Sequence, residues 1–181
     1  DPDLILVGEY IPIKVFLNQS GKLQEQTETG LNNTEGWWNR IEAGDLDKDG
    51  DIDFVVANHG LNSRFRASID KPVCMYVNDF DQNGTVEQII CNYYGDQSYP
   101  MVLRHDLVSQ IPALKKKYLK YENYKDQTIT DIFTPEQLKD ALKLNVFLLI
   151  LSVLINQGNG KFILKALPVE AQAAPMYGIE I

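Results

Sequence analysis

The sequence predicts a mainly β repeat fold of the solenoid or propeller type, and two repeated patterns lead to this prediction. The first is an acidic nine-residue loop followed by a short strand of β-branched and aromatic residues, which occurs twice in full. The second is a strand, a Gly/Asn/Ser turn and another strand, which spans residues 15–23 and recurs at residues 153–162. Such a pattern is typical of a β-hairpin.

The first acidic loop covers residues 45–53 and reads Asp-Leu-Asp-Lys-Asp-Gly-Asp-Ile-Asp. Carboxylates crowded into one turn raise each other's pKa values unless a cation neutralises them. Ca²⁺ accepts about six to eight oxygens in flexible geometry, and Gly50 allows the sharp bend that such a loop needs. The predicted ligands are Asp45, Asp47, Asp49, Asp51 through its backbone carbonyl, and Asp53. The alternative is a solvated acidic turn without a metal.

The second acidic loop covers residues 79–87 and begins 34 residues after the first, at Asp79 against Asp45. Its predicted ligands are Asp79, Asp81, Asn83, Thr85 and Glu87. A third copy is truncated, because residues 1–7 match residues 51–57; Asp1 and Asp3 are therefore predicted to belong to an incomplete loop. Residues 178–181 resemble residues 40–43, so a further loop is expected beyond Ile181. We expect the chain to be a portion of a longer protein.

The acidic loop with its apolar strand, and the Leu-Ile-Asn-Gln-Gly-Asn-Gly-Lys-Phe hairpin, resemble FG-GAP or VCBS repeats. Trp37-Trp38-Asn39-Arg40 and the long interruption after the second loop are similar to a bacterial, Bacteroidetes-type branch of large repeat proteins. The resemblance covers residues 1–103 and 144–181. It implies a β-propeller of four-stranded antiparallel blades with Ca²⁺ in the blade loops. Asn83 and Glu87 depart from the all-Asp pattern of the family, although both offer oxygen ligands.

The length of the chain limits how much of a propeller it can form. At about fifty residues per blade, 181 residues cannot form a closed seven-bladed propeller. We therefore predict a partial propeller over residues 1–181 with two to three blades, whose open edges favour self-association. The net charge of −8 disfavours nucleic acid as a partner. No transmembrane helix is predicted, because the apolar run at residues 146–155 is half the roughly twenty residues that spanning requires.

Residues 104–143 differ from the rest of the chain and predict a helical insertion between two strands of the second blade. Leu107, Ile111, Leu114 and Leu119 recur at roughly helical spacing, and Leu138, Ala141 and Leu142 are predicted to form the apolar face of a second helix. Thr134-Pro135-Glu136-Gln137 is a helix-start signature, with Thr as the N-cap and Gln three residues later. We predict two short helices joined by a tyrosine-rich connection.

The two cysteines flank the second loop and are predicted to face each other. If Asn78 and Glu87 close an antiparallel hairpin, Cys74 lies opposite Cys91 on the neighbouring strand. Opposed cysteines at this spacing can form a disulfide in an oxidising compartment. The alternative is two buried thiols, because a register slip of one residue would separate them.

Aromatic residues offer a candidate ligand surface at Trp37, Trp38, His59, Tyr93 and Tyr94. Such rings suit sugar rings or a protein partner; the alternative is packing within the fold. The sequence contains no nucleophile elbow, phosphate loop or dinucleotide fingerprint, and we predict that the protein is not an enzyme.

The predicted function is a calcium-binding propeller module of a secreted or cell-surface protein that acts as a scaffold for protein or glycan binding. The expected location is extracellular, periplasmic or at the outer-membrane surface. The alternative function is a non-catalytic or partial piece of a carbohydrate-processing enzyme.

Overall fold

The computed structural model describes residues 2–181 and divides into two compact units. The first unit runs to Phe65 and resumes over Val146–Ile181, and the second is Arg66–Asn145. The strands are β1 (Leu4–Leu6), β2 (Glu9–Ile11), β3 (Lys14–Gln19), β4 (Lys22–Gln26), β5 (Gly36–Trp37), β6 (Arg40–Gly44), β7 (Asp53–Ala57), β8 (Val73–Asn78), β9 (Glu87–Tyr94), β10 (Gln97–Pro100), β11 (Leu142–Val146), β12 (Ser152–Asn156) and β13 (Phe162–Ala166). The helices are α1 (Arg104–Gln110), α2 (Ile129–Ile132) and α3 (Pro135–Asp140), with shorter 3-10 turns at Pro112–Lys115, Tyr121–Asn123 and Val169–Ala173.

The first unit contains a four-stranded antiparallel sheet in the order β6-β7-β12-β13. Within the first unit, the four strands follow one another across the sheet in chain order, which is the arrangement of a propeller blade. The pair β7–β12 joins distant parts of the chain, because Phe54 lies opposite Leu154 and the second unit lies between them in sequence. The predicted hairpin at residues 153–162 is confirmed as β12 and β13.

A three-stranded sheet in the order β1-β3-β4 repeats the pattern of β7-β12-β13. Its hairpin turns at Ser20 and Gly21, whose φ angles of 54° and 86° favour the tight two-residue turn between twisted strands. Strands β2 and β5 form a short parallel pair. The first unit therefore contains one complete blade-like sheet and a second sheet of the same design.

The core of the first unit lies where the side chains of these sheets meet. Val15 of β3, Val56 of β7, Leu154 of β12 and Phe162 of β13 are buried in one cluster. Trp38 joins this cluster at 2 % exposure, and its indole N–H donates to the carbonyl oxygen of Thr34 at 2.7 Å. Burial of these apolar side chains, at roughly 25 cal/mol per Å² removed from water, stabilises the sheets.

Asn58 is a buried polar residue at the end of β7 that links three backbone segments. Its Oδ1 accepts hydrogen bonds from the backbone N–H groups of Trp37 and His59, at 3.2 and 2.8 Å, and its Nδ2 donates to the carbonyl oxygen of Leu148.

We expect Asn58→Ala to lower the free energy of unfolding by about 2 kcal/mol, because it leaves buried backbone groups without partners. Urea denaturation measures this change. Asn32→Ala, at an exposed position, is the matched control and should change stability little; an equal loss in the two variants would contradict this role.

The second unit is built on a four-stranded antiparallel sheet in the order β10-β9-β8-β11. The register of the β8–β9 hairpin is the predicted one, with Asn78 opposite Glu87 and Cys74 opposite Cys91. The two cysteines form a disulfide, and their Cα atoms are 5.0 Å apart. The predicted disulfide is thus confirmed, and it joins the same two strands that the second acidic loop connects.

The helical insertion is confirmed and lies between β10 and β11 of this sheet. Three short α-helices replace the two predicted ones, because the intervening segment folds as turns with a separate helix α2. Helix α3 begins with the predicted capping box between Thr134 and Gln137. Leu142, predicted on the apolar face of this helix, is instead the first residue of β11, because the chain leaves the helix after Asp140 to pair with β8.

The insertion packs against the strands through its own apolar side chains. Leu107 and Ile111 of the first helical segment, Tyr118, and Ile129 of α2 are buried in one cluster together with the disulfide. Burial raises the pKa of Tyr124 to about 12, so its phenol stays protonated and donates to the carbonyl oxygen of Val102 at 2.7 Å. The fold is therefore mainly β, with a small helical part, as the sequence predicts. No helix among residues 2–181 is long and apolar enough to cross a membrane.

Candidate metal centre

The first acidic loop folds as a tight turn between β6 and β7. Lys48 and Gly50 take positive φ angles of 65° and 96°, which reverse the chain direction. The backbone N–H of Gly50 donates to Asp45 Oδ2 at 3.3 Å, and the N–H of Asp51 donates to Asp49 Oδ1 at 2.9 Å. The structure brings together Asp45, Asp47 and Asp49, whose ligand atoms lie within 4.8 Å of one another.

Asp53, predicted as the ligand that closes the shell, is fully buried and holds backbone groups. Its Oδ2 accepts the N–H of Leu46 at 3.0 Å, and its Oδ1 accepts the N–H of Asn156 at 2.8 Å. It therefore anchors the loop to strand β12. Asp3 has the equivalent position in the truncated copy, and its Oδ1 accepts the N–H of Asn18 at 2.8 Å. Asp1 lies outside the described residues.

The second acidic loop repeats three backbone-to-side-chain hydrogen bonds of the first. Gln82 and Gly84 take the positive φ angles, 61° and 88°. The backbone N–H of Gly84 donates to Asp79 Oδ2 at 2.8 Å, and the N–H of Phe80 donates to Glu87 Oε2 at 3.0 Å. The two loops thus share one backbone design, although their sequences agree at few positions outside the acidic ones.

Asn83 and Thr85 complete the match between the loops. The N–H of Thr85 donates to Asn83 Oδ1 at 2.7 Å, as the N–H of Asp51 does to Asp49 in the first loop. The N–H of Asn83 in turn donates to Asp79 Oδ1 at 2.9 Å. The side-chain oxygen of Asn83 therefore accepts the same backbone hydrogen bond in the second loop that the carboxylate of Asp49 accepts in the first.

The second loop contains carboxylate oxygens that are buried without a hydrogen-bond donor. Glu87 is 4 % exposed, and its Oε1, like Oδ1 of Asp81, receives no hydrogen bond within residues 2–181. Together with Asp79, these two residues place ligand atoms within 4.8 Å of one another. Buried carboxylates without compensation are costly, so this arrangement fits a bound cation. All the candidate ligand atoms are oxygens, which suits a hard ion such as Ca²⁺.

Electrostatic crowding is visible in the first loop as well. Loss of hydration, followed by repulsion from Asp49 and Asp53, raises the pKa of Asp47 above its ordinary value. The loop therefore disfavours the charged form of Asp47 when no cation is bound. A divalent cation would reverse this preference by favouring the ionised carboxylate.

The insertion supports the second loop through contacts that the sequence did not reveal. Phe133 stacks on Phe80 of the loop with ring centroids 4.1 Å apart. The side-chain amide of Gln137 donates to the carbonyl oxygen of Phe80 at 2.8 Å, and Asn78 Nδ2 donates to the carbonyl oxygen of Gln137. The capping box identified Gln137 only as a helix-start residue, because a contact across 57 positions leaves no local pattern.

The predicted aromatic ligand surface is corrected by burial. Trp37 and Trp38 are both buried, so they form part of the core instead of a surface. His59 contacts Trp37 with ring centroids 5.0 Å apart, and burial lowers the pKa of its imidazole. Tyr93 is half-buried in β9, whereas Tyr94 at the end of that strand is exposed. Of this group, only Tyr94 presents most of its side chain to solvent.

The four-stranded antiparallel sheets and the loops between their strands define a β-propeller-type repeat module. Residues 1–56 match the family model of the FG-GAP-like repeat. This stretch of the chain, which includes the first acidic loop, is therefore an FG-GAP-like repeat, and the predicted resemblance to FG-GAP repeats is confirmed for these residues. Comparison with curated proteins and with solved structures gave no match.

Proposed function

We propose that the chain is a calcium-binding, non-enzymatic module that serves as a scaffold for binding a protein or a glycan. The observation that carries the calcium proposal is that one buried oxygen each of Asp81 and Glu87 receives no hydrogen bond from residues 2–181. The shared hydrogen-bond design extends the proposal to the first loop, where three carboxylates converge. The family match supports it, since the matched repeat contains that loop.

The proposed role of the cation is to stabilise the fold. The second loop connects β8 to β9, and Glu87 is both the first residue of β9 and a candidate ligand. A cation bound to the folded loop alone would add its binding free energy to the stability of the unit. At a free concentration one hundred times the dissociation constant, this gain is about 2.7 kcal/mol per site.

The disulfide supports a location outside the cytoplasm. Disulfides persist in oxidising compartments and are rare where thiols are kept reduced. We propose an extracellular, periplasmic or outer-membrane surface location, where calcium would also be available to both loops. The outer strands of each four-stranded sheet could pair with a partner, including a second copy of the chain.

The non-enzymatic proposal is supported by the surroundings of the two histidines. His59 packs against aromatic rings, including Phe65 at 5.8 Å between centroids. His105 Nδ1 lies 2.7 Å from the hydroxyl of Tyr121, and its Nε2 lies 3.1 Å from Asp106. The crowded carboxylates belong to the two loops, where a cation accounts for them without a catalytic role.

Thermal unfolding of the chelated protein, repeated with added Ca²⁺ and with Mg²⁺, tests the calcium proposal. We expect Ca²⁺ to raise the unfolding midpoint more than Mg²⁺, because a loop of flexible geometry suits the larger ion. Asp47→Asn should reduce the rise, since it replaces an anionic ligand with a neutral one. Asp51→Asn changes the charge equally but keeps the backbone carbonyl, so it should retain most of the rise. A wild-type midpoint that Ca²⁺ does not shift would contradict the proposal.

A further inference from the structure

A cleft in the second unit is lined by aromatic side chains that the calcium proposal does not use. Its volume is about 500 Å³, within the usual range for small-ligand sites. Four tyrosines line it, from strand β9, strand β10 and the segment before α2: Tyr94, Tyr99, Tyr121 and Tyr124. Backbone and side chains of residues 100–103 complete the lining together with Lys125 and Asp126.

The tyrosine rings of this cleft are held in place before any ligand binds. The hydroxyl of Tyr124 donates to the carbonyl oxygen of Val102, and the hydroxyl of Tyr121 is hydrogen-bonded to His105. Tyr94 and Tyr99 contact each other edge to face, with centroids 6.2 Å apart. Fixed rings lose little conformational entropy on binding, which favours recognition by ring faces.

The rings nevertheless remain accessible. Tyr94 is 54 % exposed and Tyr121 is 50 % exposed, and the neighbouring Leu103 also projects into solvent. Large apolar side chains gathered on one exposed surface are typical of an interaction site.

The charge of the cleft selects among ligand classes. Its charged lining residues are Lys125 and Asp126, whose ammonium and carboxylate lie 3.8 Å apart and cancel. The guanidinium of Arg104 lies 5.7 Å from the centroid of the Tyr121 ring, and it donates to the carbonyl oxygens of Tyr118 and Leu119. A phosphorylated or acidic ligand would require a cluster of bases, and a cationic peptide would require a cluster of acids. The cleft therefore complements a neutral ligand that has apolar faces for the rings and hydroxyls for the phenol, ammonium and carboxylate groups.

We propose that this tyrosine cleft binds a neutral oligosaccharide. The C–H faces of a sugar ring would stack on the exposed rings of Tyr94 and Tyr121, and its hydroxyls would hydrogen-bond to Lys125 and Asp126. The inference rests on the scaffold function proposed above and names its ligand class. It does not depend on a cation, because neither acidic loop contributes to the cleft.

Isothermal titration of the full chain with cellohexaose, maltohexaose, mannohexaose and xylohexaose tests the proposal, with a decaproline peptide as the competing ligand. We expect at least one oligosaccharide to bind with a dissociation constant below about 1 mM. Tyr94→Ala and Tyr121→Ala should each weaken this binding about tenfold, because each removes a stacking face. Tyr94→Phe, which keeps the ring, should bind nearly as well as the wild type.

Tyr177→Ala is the matched control, since this tyrosine is 72 % exposed and lies outside the cleft. Absence of binding by all four oligosaccharides, binding of decaproline alone, or equal losses in Tyr177→Ala and Tyr94→Ala would each overturn the proposal. The calcium-dependent midpoint should be unchanged in Tyr94→Ala, so failure of the sugar site is separable from failure of the calcium proposal. Release of shorter sugars would support a carbohydrate site but contradict the non-enzymatic role.

Discussion

Glu87→Gln should remove the calcium-dependent stabilisation that comes from the second loop, while it leaves the calcium-free protein about as stable as the wild type. The amide oxygen of the new side chain can still accept the N–H of Phe80, which Glu87 Oε2 accepts in the wild type. The amide nitrogen would then replace Oε1, and a nitrogen that carries two protons cannot bind a cation. We expect a loss of about 2.7 kcal/mol at calcium one hundred times the dissociation constant.

Without calcium, Glu87→Gln should be as stable as the wild type or more stable. The variant is informative because it should lose stability only when calcium is present. Without a cation, Glu87 carries a buried oxygen that has no donor among the described residues. Replacement by a neutral side chain of the same shape removes this unfavourable charge, so stability should stay the same or rise. An ordinary structural residue would instead lose stability in both conditions.

Calorimetric titration with Ca²⁺ and thermal unfolding with and without chelator measure both effects. We expect the calcium stoichiometry to fall from two sites to one. Glu136→Gln, at an exposed position in the first turn of α3, changes the net charge equally and should keep both sites. An unchanged stoichiometry in Glu87→Gln would exclude Glu87 as a ligand.

Replacement of both Cys74 and Cys91 by Ser should lower the free energy of unfolding by at least about 3 kcal/mol. The disulfide closes a loop with a sequence separation of 17, and the entropy that such a cross-link removes from the unfolded chain is of this size. Both side chains are buried, so two hydroxyls in the same apolar cluster add a further cost. Urea denaturation of wild type and variant measures the difference.

A Cys74→Ala, Cys91→Ala variant separates the cross-link from the buried hydroxyls, and it should lose the cross-link contribution alone. Reductant should destabilise the wild type toward this variant and have no effect on the variant itself. If reductant that cleaves the bond left the wild-type midpoint unchanged, the disulfide would contribute no stability. Calorimetric titration of this variant with Ca²⁺ shows whether the loop between β8 and β9 keeps its calcium affinity after the cross-link is lost.

Local patterns in the sequence determined the features that depend on neighbouring residues. The two acidic loops, the β8–β9 register and the cap of α3 each follow from a short stretch of chain, because turn residues and hairpin closure fix the backbone there. The register that closes at Asn78 and Glu87 was enough to place Cys74 opposite Cys91. The repeat of the loop and its strand also predicts the FG-GAP-like repeat that matches residues 1–56.

Contacts between distant segments decided the rest. Asp53 and Glu87 occupy equivalent positions in the two loops, and both oxygens of Asp53 accept backbone N–H groups, one of them from β12. One oxygen of Glu87, by contrast, has no hydrogen-bond donor in the part of the chain that the structure describes. Trp38 is buried in the core because strands from distant parts of the chain pack around it. The periodicity of a sequence indicates which face of a strand is apolar, but it does not indicate which segment covers that face. Tertiary packing determines the covering segment, and it also determines which carboxylates remain available to a cation.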